Sequence, residues 1–256
     1  MTVIAVISPK GGVGKTTVTV NMACALAAGG RACRLIDLDP QNALRLHLGA
    51  SMGDTAGLVH QSLQQQSWAA AEYDSAYGVS FIPYGRITEI ERIMFESQLA
   101  QNPNWLRDNL DELGHEPGTL TILDTPPGPS VYAQHVLSVA DLVLVVMIPD
   151  AGSYATLSSI EELLEYYCAN RTDFHGSYYV LNQFDAGHPL NRDIRSVMQN
   201  TLGERLAPYC IHRDESLSEA LAFQQPVRQY APYSQAVEDL QQLSDWLLDL
   251  IDRVPE

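Results

Sequence analysis

A ten-residue segment near the start of the chain, Ser8–Thr17, combines glycines, lysines and hydroxyl side chains in the order SPKGGVGKTT. It follows a β-branched run and opens a stretch of helical composition, which is the context that a phosphate-binding loop requires. Glycines let the backbone point successive N–H groups at an anion, and a helix N-terminus adds the positive end of its dipole. We therefore predict that phosphate groups lie against the backbone of Gly11, Gly12, Val13 and Gly14.

Three side chains at the end of this segment have the chemistry to hold a nucleoside triphosphate and its metal ion. Lys15 can reach the β- and γ-phosphates, and the Thr16 hydroxyl can ligate Mg²⁺. Thr17 can cap the following helix and contact the α-phosphate. The segment thus predicts a site for a triphosphate bound with magnesium.

Three carboxylates follow later predicted strands. Asp37 and Asp39 end the second strand, and Asp124 ends another. Taken singly, each could be a turn former or a helix cap. Phosphoryl transfer to water, however, needs charge neutralisation at the β–γ bridge and a positioned water molecule. We expect Asp124 to hold Mg²⁺ through its water shell, Asp37 to support the metal side, and Asp39 to orient the attacking water.

These motifs together resemble the deviant Walker A ATPases of the MinD/ParA family. The strict loop motif begins with glycine, whereas this chain has Pro9 there and carries an extra lysine, Lys10. The run Asp37–Gln41 resembles the family's switch I, and Leu123–Gly128 resembles its Walker B and switch II segments. The resemblance implies an ATPase that uses ATP and Mg²⁺. It also implies an ATP-bound homodimer in which Lys10 reaches the phosphates bound by the partner subunit.

The base-binding residues are predicted from two later segments. Asn182 follows a strand, and in related ATPases an asparagine there hydrogen-bonds adenine; the competing interpretation is a simple turn residue. The run NQFD also resembles the guanine-reading NKxD of GTPases, but Gln183 replaces the lysine, which favours ATP. Arg213 lies in a segment that resembles the loop covering the base in ParA-type proteins, so the resemblance places it near adenine. A solvated surface arginine is the alternative.

The elements that must position these residues alternate between strand and helix. Such alternation predicts an α/β fold with a doubly wound, mostly parallel sheet flanked by helices. The hydrophobic pattern predicts strands at 3–7, 32–38, 79–83, 119–124, 141–148, 177–181 and 209–212. Helices are expected at 15–28, 88–113, 129–139, 153–168, 191–206 and 234–252. Residues 43–78 have an ambiguous period, and we expect a single domain over residues 1–256.

The net charge of the chain disfavours two classes of function, direct DNA binding and insertion into a membrane surface. The chain has a net charge of −16, with only two lysines, Lys10 and Lys15, among its 15 basic residues. Arginines after residue 186 are scattered among acids, which disfavours direct DNA binding. They are Arg192, Arg195, Arg205, Arg213, Arg228 and Arg253. The last predicted helix has an acidic polar face, so it is expected to pack on the sheet rather than enter a membrane surface.

Two further features concern location. The longest apolar run is too short to span a bilayer, and no signal peptide is evident at the start. The four cysteines form no CxxC pair, and we expect them to be reduced in a cytoplasmic protein. Any membrane association would then come through protein partners at the inner face of the cytoplasmic membrane.

Short segments resemble the cellulose-biosynthesis branch of the family in particular. They are Phe81–Gly85, Asp39–Gly49 and Ile211–Val227, whose HRDE run is the most discriminating. The resemblance implies a dimeric regulator of cellulose secretion that acts on cellulose synthase complex subunits, with a small operon-encoded regulator as a further partner. Two alternatives stay open: a ParA-type ATPase that partitions DNA or cargo, and a scaffold that binds nucleotide only as a structural ligand.

Overall fold

A computed structural model of the chain describes residues 2–51, 54–114 and 118–252; Arg253 lies outside these ranges. Its strands form a single seven-stranded sheet in the order β3-β4-β2-β5-β1-β6-β7. All neighbouring strands are parallel except β3, which pairs antiparallel with β4 at one edge. The strands are β1 (Thr2–Ile7), β2 (Cys33–Asp37), β3 (Tyr73–Asp74), β4 (Val79–Ile82), β5 (Leu120–Asp124), β6 (Leu142–Met147) and β7 (Gly176–Leu181).

Helices cover both faces of this sheet, which confirms the predicted doubly wound α/β fold. The first six are α1 (Lys15–Ala28), α2 (Leu44–His47), α3 (Leu58–Leu63), α4 (Glu89–Gln101), α5 (Trp105–Leu113) and α6 (Val131–Val139). The later ones are α7 (Ala151–Ala155), α8 (Leu157–Cys168), α9 (Pro189–Leu202), α10 (Ser216–Ala222), α11 (Val227–Tyr230) and α12 (Gln235–Asp252). Short 3₁₀ turns occupy Trp68–Ala71 and Gly203–Arg205.

Alternation along the central strands explains why they are apolar throughout. In β1, Val3, Ala5 and Ile7 face one hydrophobic core, whereas Ile4 and Val6 face the other. A strand buried on both faces needs apolar residues at every position, which is the pattern of a parallel sheet between two helical layers. The sheet is therefore held rigidly, and the carboxyl ends of its parallel strands meet at one edge.

The last helix packs as predicted. Leu240, Leu243 and Leu247 of α12 are buried in the core that α1 also lines. Among the described residues, no helix is both long enough and apolar enough to cross a membrane. The four cysteines are free and buried, and burial raises the pKa of Cys24 and Cys33 to about 12.

Three predicted helices are wrong in their extent. The helix expected over 153–168 is divided at Thr156 into α7, which begins earlier at Ala151, and α8. The helix expected over 88–113 is broken between α4 and α5 by Pro103, since the residue before a proline is pushed out of the helical region. The helix expected over 191–206 begins earlier, at Pro189, and ends at Leu202. Proline suits the first turn of a helix because its missing N–H has no helical partner there.

The strand predicted at 209–212 is not present. Only an isolated parallel bridge joins Phe184 to His212, and another joins Tyr179 to Leu206. The chain pairs with β7 on both sides of Pro208, through the Ala207 N–H to the Tyr179 carbonyl and the Ile211 N–H to the Leu181 carbonyl. Four residues on one side therefore span two on the other, and this break in register prevents a continuous ladder. The ambiguous region 43–78 contains α2, α3, a 3₁₀ turn and the edge strand β3.

Candidate functional site

The end of the phosphate loop converges on one buried carboxylate. Lys15 is 6% exposed, and its Nζ donates to Asp124 Oδ1 at 2.6 Å. The Thr16 hydroxyl donates to Asp124 Oδ2 at 2.6 Å, and the Thr19 hydroxyl lies 3.2 Å from Asp124 Oδ1. Parallel pairing of β1 with β5 places Val6 opposite Asp124, so the loop after β1 begins beside this carboxylate. The predicted lysine, threonine and aspartate therefore form one cluster.

The backbone of the loop is fixed by glycine conformations and by side chains from β7. Gly12 and Gly14 have φ values of 77° and 83°, in the left-handed region that favours glycine. Asn182 Nδ2 donates to the Val13 carbonyl at 2.7 Å, and Gln183 Nε2 donates to the Gly12 carbonyl at 3.2 Å. A Cβ on Gly14 would lie 2.4 Å from Asn182 Nδ2. Only glycine leaves room for this contact.

Switch I forms a compact turn around two carboxylates. Asp37 Oδ1 accepts the Asp39 N–H at 2.9 Å, and its Oδ2 accepts the Leu44 N–H at 3.2 Å. Asp39 Oδ1 accepts the Gln41 N–H at 2.9 Å. The carboxylates of Asp37 and Asp39 both interact electrostatically with Lys15. Asp37 uses both of its oxygens to shape the switch.

Burial sets the electrostatics of this switch. It raises the pKa of Asp37 well above the ordinary value, and the nearby charge of Asp124 raises it further. Burial also raises the pKa of Asp39, although the Gln41 N–H and the charge of Lys15 oppose the shift. Three carboxylates facing one buried lysine make a site that favours additional positive charge, such as a divalent cation.

Lys10 points away from the cluster. Its side chain is 33% exposed, and Nζ bonds both oxygens of Asp150 at 2.9 and 2.7 Å. Asp150 caps α7, where its Oδ1 accepts the Ser153 N–H at 2.6 Å. Burial acts to raise the pKa of Asp150, but the hydrogen bonds from Lys10 and Ser153 outweigh it and lower the pKa. The two lysines of the loop therefore occupy opposite environments, one buried and one at the surface.

The base side of the site is a cavity of about 240 Å³ next to the loop. Its lining includes Arg213, Gln183 and Asp150, together with residues at the start of α9. Arg213 is exposed, and its backbone N–H donates to the Phe184 carbonyl at 3.0 Å. Asn182 is 3% exposed, and its Oδ1 has no hydrogen-bond partner among the described residues. The structure thus brings Asn182 against the loop and Arg213 into the neighbouring cavity.

Two carboxylates that sequence reasoning missed hold the segment carrying Arg213. Asp239 of α12 is buried. Its Oδ2 accepts the backbone N–H of His212 at 2.8 Å and lies 2.9 Å from the ring Nδ1 of the same histidine. Asp214 accepts the N–H groups of Ser216 and Ala236. In the HRDE run, His212 and Asp214 therefore attach the segment to α12, and Arg213 between them lines the cavity.

These observations fit a nucleotide with magnesium. The orphaned, buried Asn182 Oδ1 can accept a hydrogen bond from an exocyclic amine, and Gly14 leaves room for the Asn182 side chain against the loop. Thr16, Asp37 and Asp124 offer hard oxygen ligands, which Mg²⁺ prefers. Among the described residues, no group of three or more His, Cys, Asp or Glu side chains could hold a metal ion alone.

Comparison with known proteins identifies the family. A family model described as "Cellulose biosynthesis protein BcsQ" matches residues 1–248. The chain belongs to the BcsQ family. BcsQ of Salmonella typhimurium is 27% identical, covering 97% of this chain and 94% of that protein. The chromosome partitioning protein ParA of Caulobacter vibrioides is 28% identical, covering 89% of this chain and 86% of that protein.

Structural similarity agrees with this family. The septum site-determining protein MinD of Pyrococcus horikoshii, solved with Mg-ADP, gives a TM-score of 0.80 at 20% identity. The alignment covers 98% of this chain and 97% of that one. At this level of identity the likeness concerns the fold, which is that of the MinD-type ATPases. The BcsQ-family chain described here thus has the architecture that its motifs predict.

Proposed function

We propose that this chain, as one domain over residues 1–256, hydrolyses ATP with Mg²⁺ and acts as a dimeric regulator of bacterial cellulose biosynthesis. The observation that carries the proposal is the convergence of Lys15 and Thr16 on Asp124, in a chain that matches the BcsQ family over residues 1–248. Without that site, membership of the family would not by itself imply turnover.

We assign the binding roles as the sequence motifs suggest. Gly11, Gly12, Val13 and Gly14 supply backbone N–H groups, Thr17 supplies a hydroxyl for the α-phosphate, and Asn182 and Arg213 contact the base. Thr16, Asp37 and Asp124 would hold Mg²⁺, which supplies charge neutralisation at the β- and γ-phosphates when bound.

The catalytic roles divide between two lysines and one carboxylate. Lys15 stabilises charge on the phosphates, and Asp39 orients the attacking water, since its carboxylate lies in switch I beside Lys15. Lys10 has a different role. Its ion pair with Asp150 is partly exposed, so little free energy is lost when it leaves that partner. We infer that it turns to the phosphates of a second subunit when ATP brings two chains together.

ATPase activity is tested by measuring phosphate release from ATP with and without Mg²⁺. We expect Mg²⁺-dependent turnover that Lys15→Ala abolishes, with the far-ultraviolet circular dichroism unchanged. Turnover in Lys15→Ala equal to that of the parent chain would contradict the proposal. Tight nucleotide binding without any turnover would favour the alternative of a scaffold with a structural ligand.

The proposed role in cellulose biosynthesis can be tested in cells. We expect the parent gene, but not the Asp39→Ala variant, to restore cellulose production to a strain that lacks it. The chain should also co-purify with subunits of the inner-membrane cellulose synthase complex. We expect it at the cytoplasmic face of that membrane. Full restoration by Asp39→Ala would show that the switch is not needed.

The competing function is that of a ParA-type partition ATPase. The 28% identity to ParA supports it as an alternative. Such proteins would need a basic surface for DNA, whereas this chain has a net charge of −16. We expect no DNA retention with ATP even at low salt. Salt-sensitive retention on DNA would favour the partition function instead.

A further inference from the structure

Two buried tyrosines share a hydrogen bond between the two switch segments. Tyr84 follows β4 and is fully buried, and Tyr132 of α6 is 2% exposed. Their hydroxyl oxygens lie 2.7 Å apart, and their rings meet edge to face. Burial raises the pKa of Tyr84 to about 12 and also raises the pKa of Tyr132, so both hydroxyls stay protonated at neutral pH. The contact is therefore a hydrogen bond between two neutral groups.

The direction of this hydrogen bond is set by a third group. The Tyr132 hydroxyl lies 3.3 Å from Glu96 Oε1 of α4, and an ionised carboxylate can only accept. Tyr132 therefore donates to Glu96, and Tyr84 donates to Tyr132. Arg92 Nη1 holds the same oxygen of Glu96 at 2.6 Å, so the acceptor at the end of this series is fixed in place.

The chain segment that carries Tyr84 is attached to switch I. The N–H of Gly85, the next residue, donates to Asn42 Oδ1 at 3.3 Å. Asn42 directly follows switch I, and its own N–H donates to the Asp39 carbonyl at 2.8 Å. The Tyr84 carbonyl accepts the Val59 N–H of α3 at 3.2 Å, so the segment is also held by a helix. A displacement of Tyr84 would therefore be passed to the turn that contains Asp39.

Tyr132 lies in the first turn of the helix that follows switch II. Helix α6 is capped by Ser130, which comes shortly after Gly128 at the end of the switch II segment. The Gly128 N–H donates to the Ser8 carbonyl at 2.8 Å, which ties switch II to the phosphate loop. The tyrosine pair therefore joins the segment attached to switch I to the helix that follows switch II.

This contact matters because the sheet alone does not hold Asp39. Asp37 and Asp124 pair with each other in adjacent strands, whereas Asp39 lies beyond the end of β2. The turn that contains Asp39 is held from outside by the contact between Asn42 and Gly85. The position of Gly85 depends in turn on how its neighbour in the chain is anchored.

We propose that Tyr84 and Tyr132 are positioning residues that couple switch I to switch II through their shared hydrogen bond. The bond fixes the segment attached to switch I against the helix after switch II, and so it holds the Asp39 carboxylate in one place. A shift of about 1 Å in a positioned group can cost about a hundredfold in rate. This role rests on the proposed ATPase function, because it concerns the water that Asp39 orients.

The test is a double-mutant cycle on the full chain with Tyr84→Phe and Tyr132→Phe, which measures kcat and KM for Mg-ATP and the affinity for Mg-ADP. Each single change should lower kcat about tenfold and leave the ADP affinity within about twofold, because the rings and the phosphate loop are kept. The double variant should be no slower than either single variant, because all three lack the same contact.

Tyr179→Phe is the matched control. Tyr179 of β7 is fully buried, and its hydroxyl donates to Glu161 of α8. The change therefore also removes a hydrogen-bonded hydroxyl from a buried tyrosine, but not between the switches. We expect its kcat to equal that of the parent chain.

A purely structural role would give a different pattern. Tyr132→Phe leaves the buried Tyr84 hydroxyl without its acceptor, whereas Tyr84→Phe leaves Tyr132 still donating to Glu96. Urea unfolding should therefore show a larger loss of stability for Tyr132→Phe, while the loss of kcat should be the same for both. An unchanged kcat in both variants, or losses of kcat that follow the losses of stability, would overturn the proposal.

A parent chain without turnover would refute the ATPase proposal, and binding would then decide the coupling. Switch segments respond to the γ-phosphate, so both tyrosine variants should bind Mg-AMPPNP, a non-hydrolysable ATP analogue, several-fold more weakly relative to Mg-ADP. An unchanged ratio of the two affinities would overturn the coupling.

Discussion

The phosphate side and the base side of the site are built by different means. On the phosphate side, a contiguous loop supplies the glycines, Lys15 and Thr16, and the rigid end of β5 supplies Asp124. On the base side, Arg213 lies on an irregular segment that is tied to the last helix by two carboxylates. Asp214 is adjacent to Arg213, and Asp239 belongs to the last helix itself.

This difference has a physical consequence for stability and for nucleotide affinity. The phosphate side relies on left-handed glycines and buried charges, so single changes there should be severe. The base side relies on several moderate hydrogen bonds around an exposed arginine, so single changes there should be graded. The two sides therefore differ in their tolerance to substitution, and the following changes measure that difference.

The largest effect is expected for the two lysines of the loop. Lys15→Ala should lower turnover by about a hundredfold or more and weaken Mg-ADP binding, because it removes the buried charge at the phosphates. Lys10→Ala should also lower turnover but leave the Mg-ADP affinity within about twofold, because Lys10 is partly exposed and paired with Asp150. Titration of fluorescent ADP measures the affinity of each variant, and phosphate release measures its turnover. Equal losses of ADP affinity would contradict the distinction between them.

Gly14→Ala should come next. The new Cβ would meet Asn182 Nδ2 at 2.4 Å, and the φ of 83° disfavours any side chain, so we expect a loss of more than about 2 kcal/mol in unfolding free energy. Gly12→Ala is the matched control, since its φ is 77° but nothing lies within 4 Å of its Cβ. That variant should lose only about 1 kcal/mol. Urea unfolding separates the two, and equal losses would show that the Asn182 contact is unimportant.

The protonation of His47 gives a pH-dependent test of the phosphate side. Burial lowers the pKa of His47 from 6.5 to about 4, although the charge of Asp124 acts to raise it. The unfolded chain therefore binds a proton that the folded chain does not, and stability is lost as the pH falls from 6.5 towards 4. At 1.36 kcal/mol for each pKa unit, the loss is about 3 kcal/mol.

The measurement compares urea unfolding of the parent chain and His47→Gln at pH 7 and pH 4. The stability advantage of the parent should shrink by about 3 kcal/mol at the lower pH, because only the parent has this histidine. Comparing the two chains cancels the titration of the carboxylates that both retain. An advantage that is the same at both pH values would contradict the assignment of a neutral, buried His47.

The smallest effect is expected on the base side. Asp239→Asn weakens the hydrogen bonds that hold His212, so Mg-ADP affinity should fall several-fold and stability by about 1–3 kcal/mol. Glu238→Gln, an exposed neighbour on the same helix, should change neither. Fluorescent ADP titration with thermal melting checks both variants. Unchanged affinity in Asp239→Asn would show that the segment needs no anchor on α12.

The sequence predicted the phosphate side well because the loop Ser8–Thr17 is contiguous and because a second motif, Leu123–Gly128, marks Asp124. Helix α1 begins and ends where its composition indicated, and Lys15, Thr16 and Asp124 meet as expected. The partners of the base side could not be predicted in the same way. Asp150 lies 140 residues from Lys10, and Asp239 lies 27 residues from His212, without any motif that marks them.

The errors in the fold have a similar origin. Pro103 interrupts a predicted helix because the residue before a proline is pushed out of the helical region. The strand predicted at 209–212 is absent because its register with β7 is broken.

The central claim is that ATP joins two chains and hydrolysis parts them. Its most direct test is the mass of Asp39→Ala, measured by light scattering after gel filtration with Mg-ATP and with Mg-ADP. We predict a dimer with ATP, a monomer with ADP, and a monomer in both when Lys10→Ala is added. An Asp39→Ala chain that binds Mg-ATP yet stays monomeric would contradict the account.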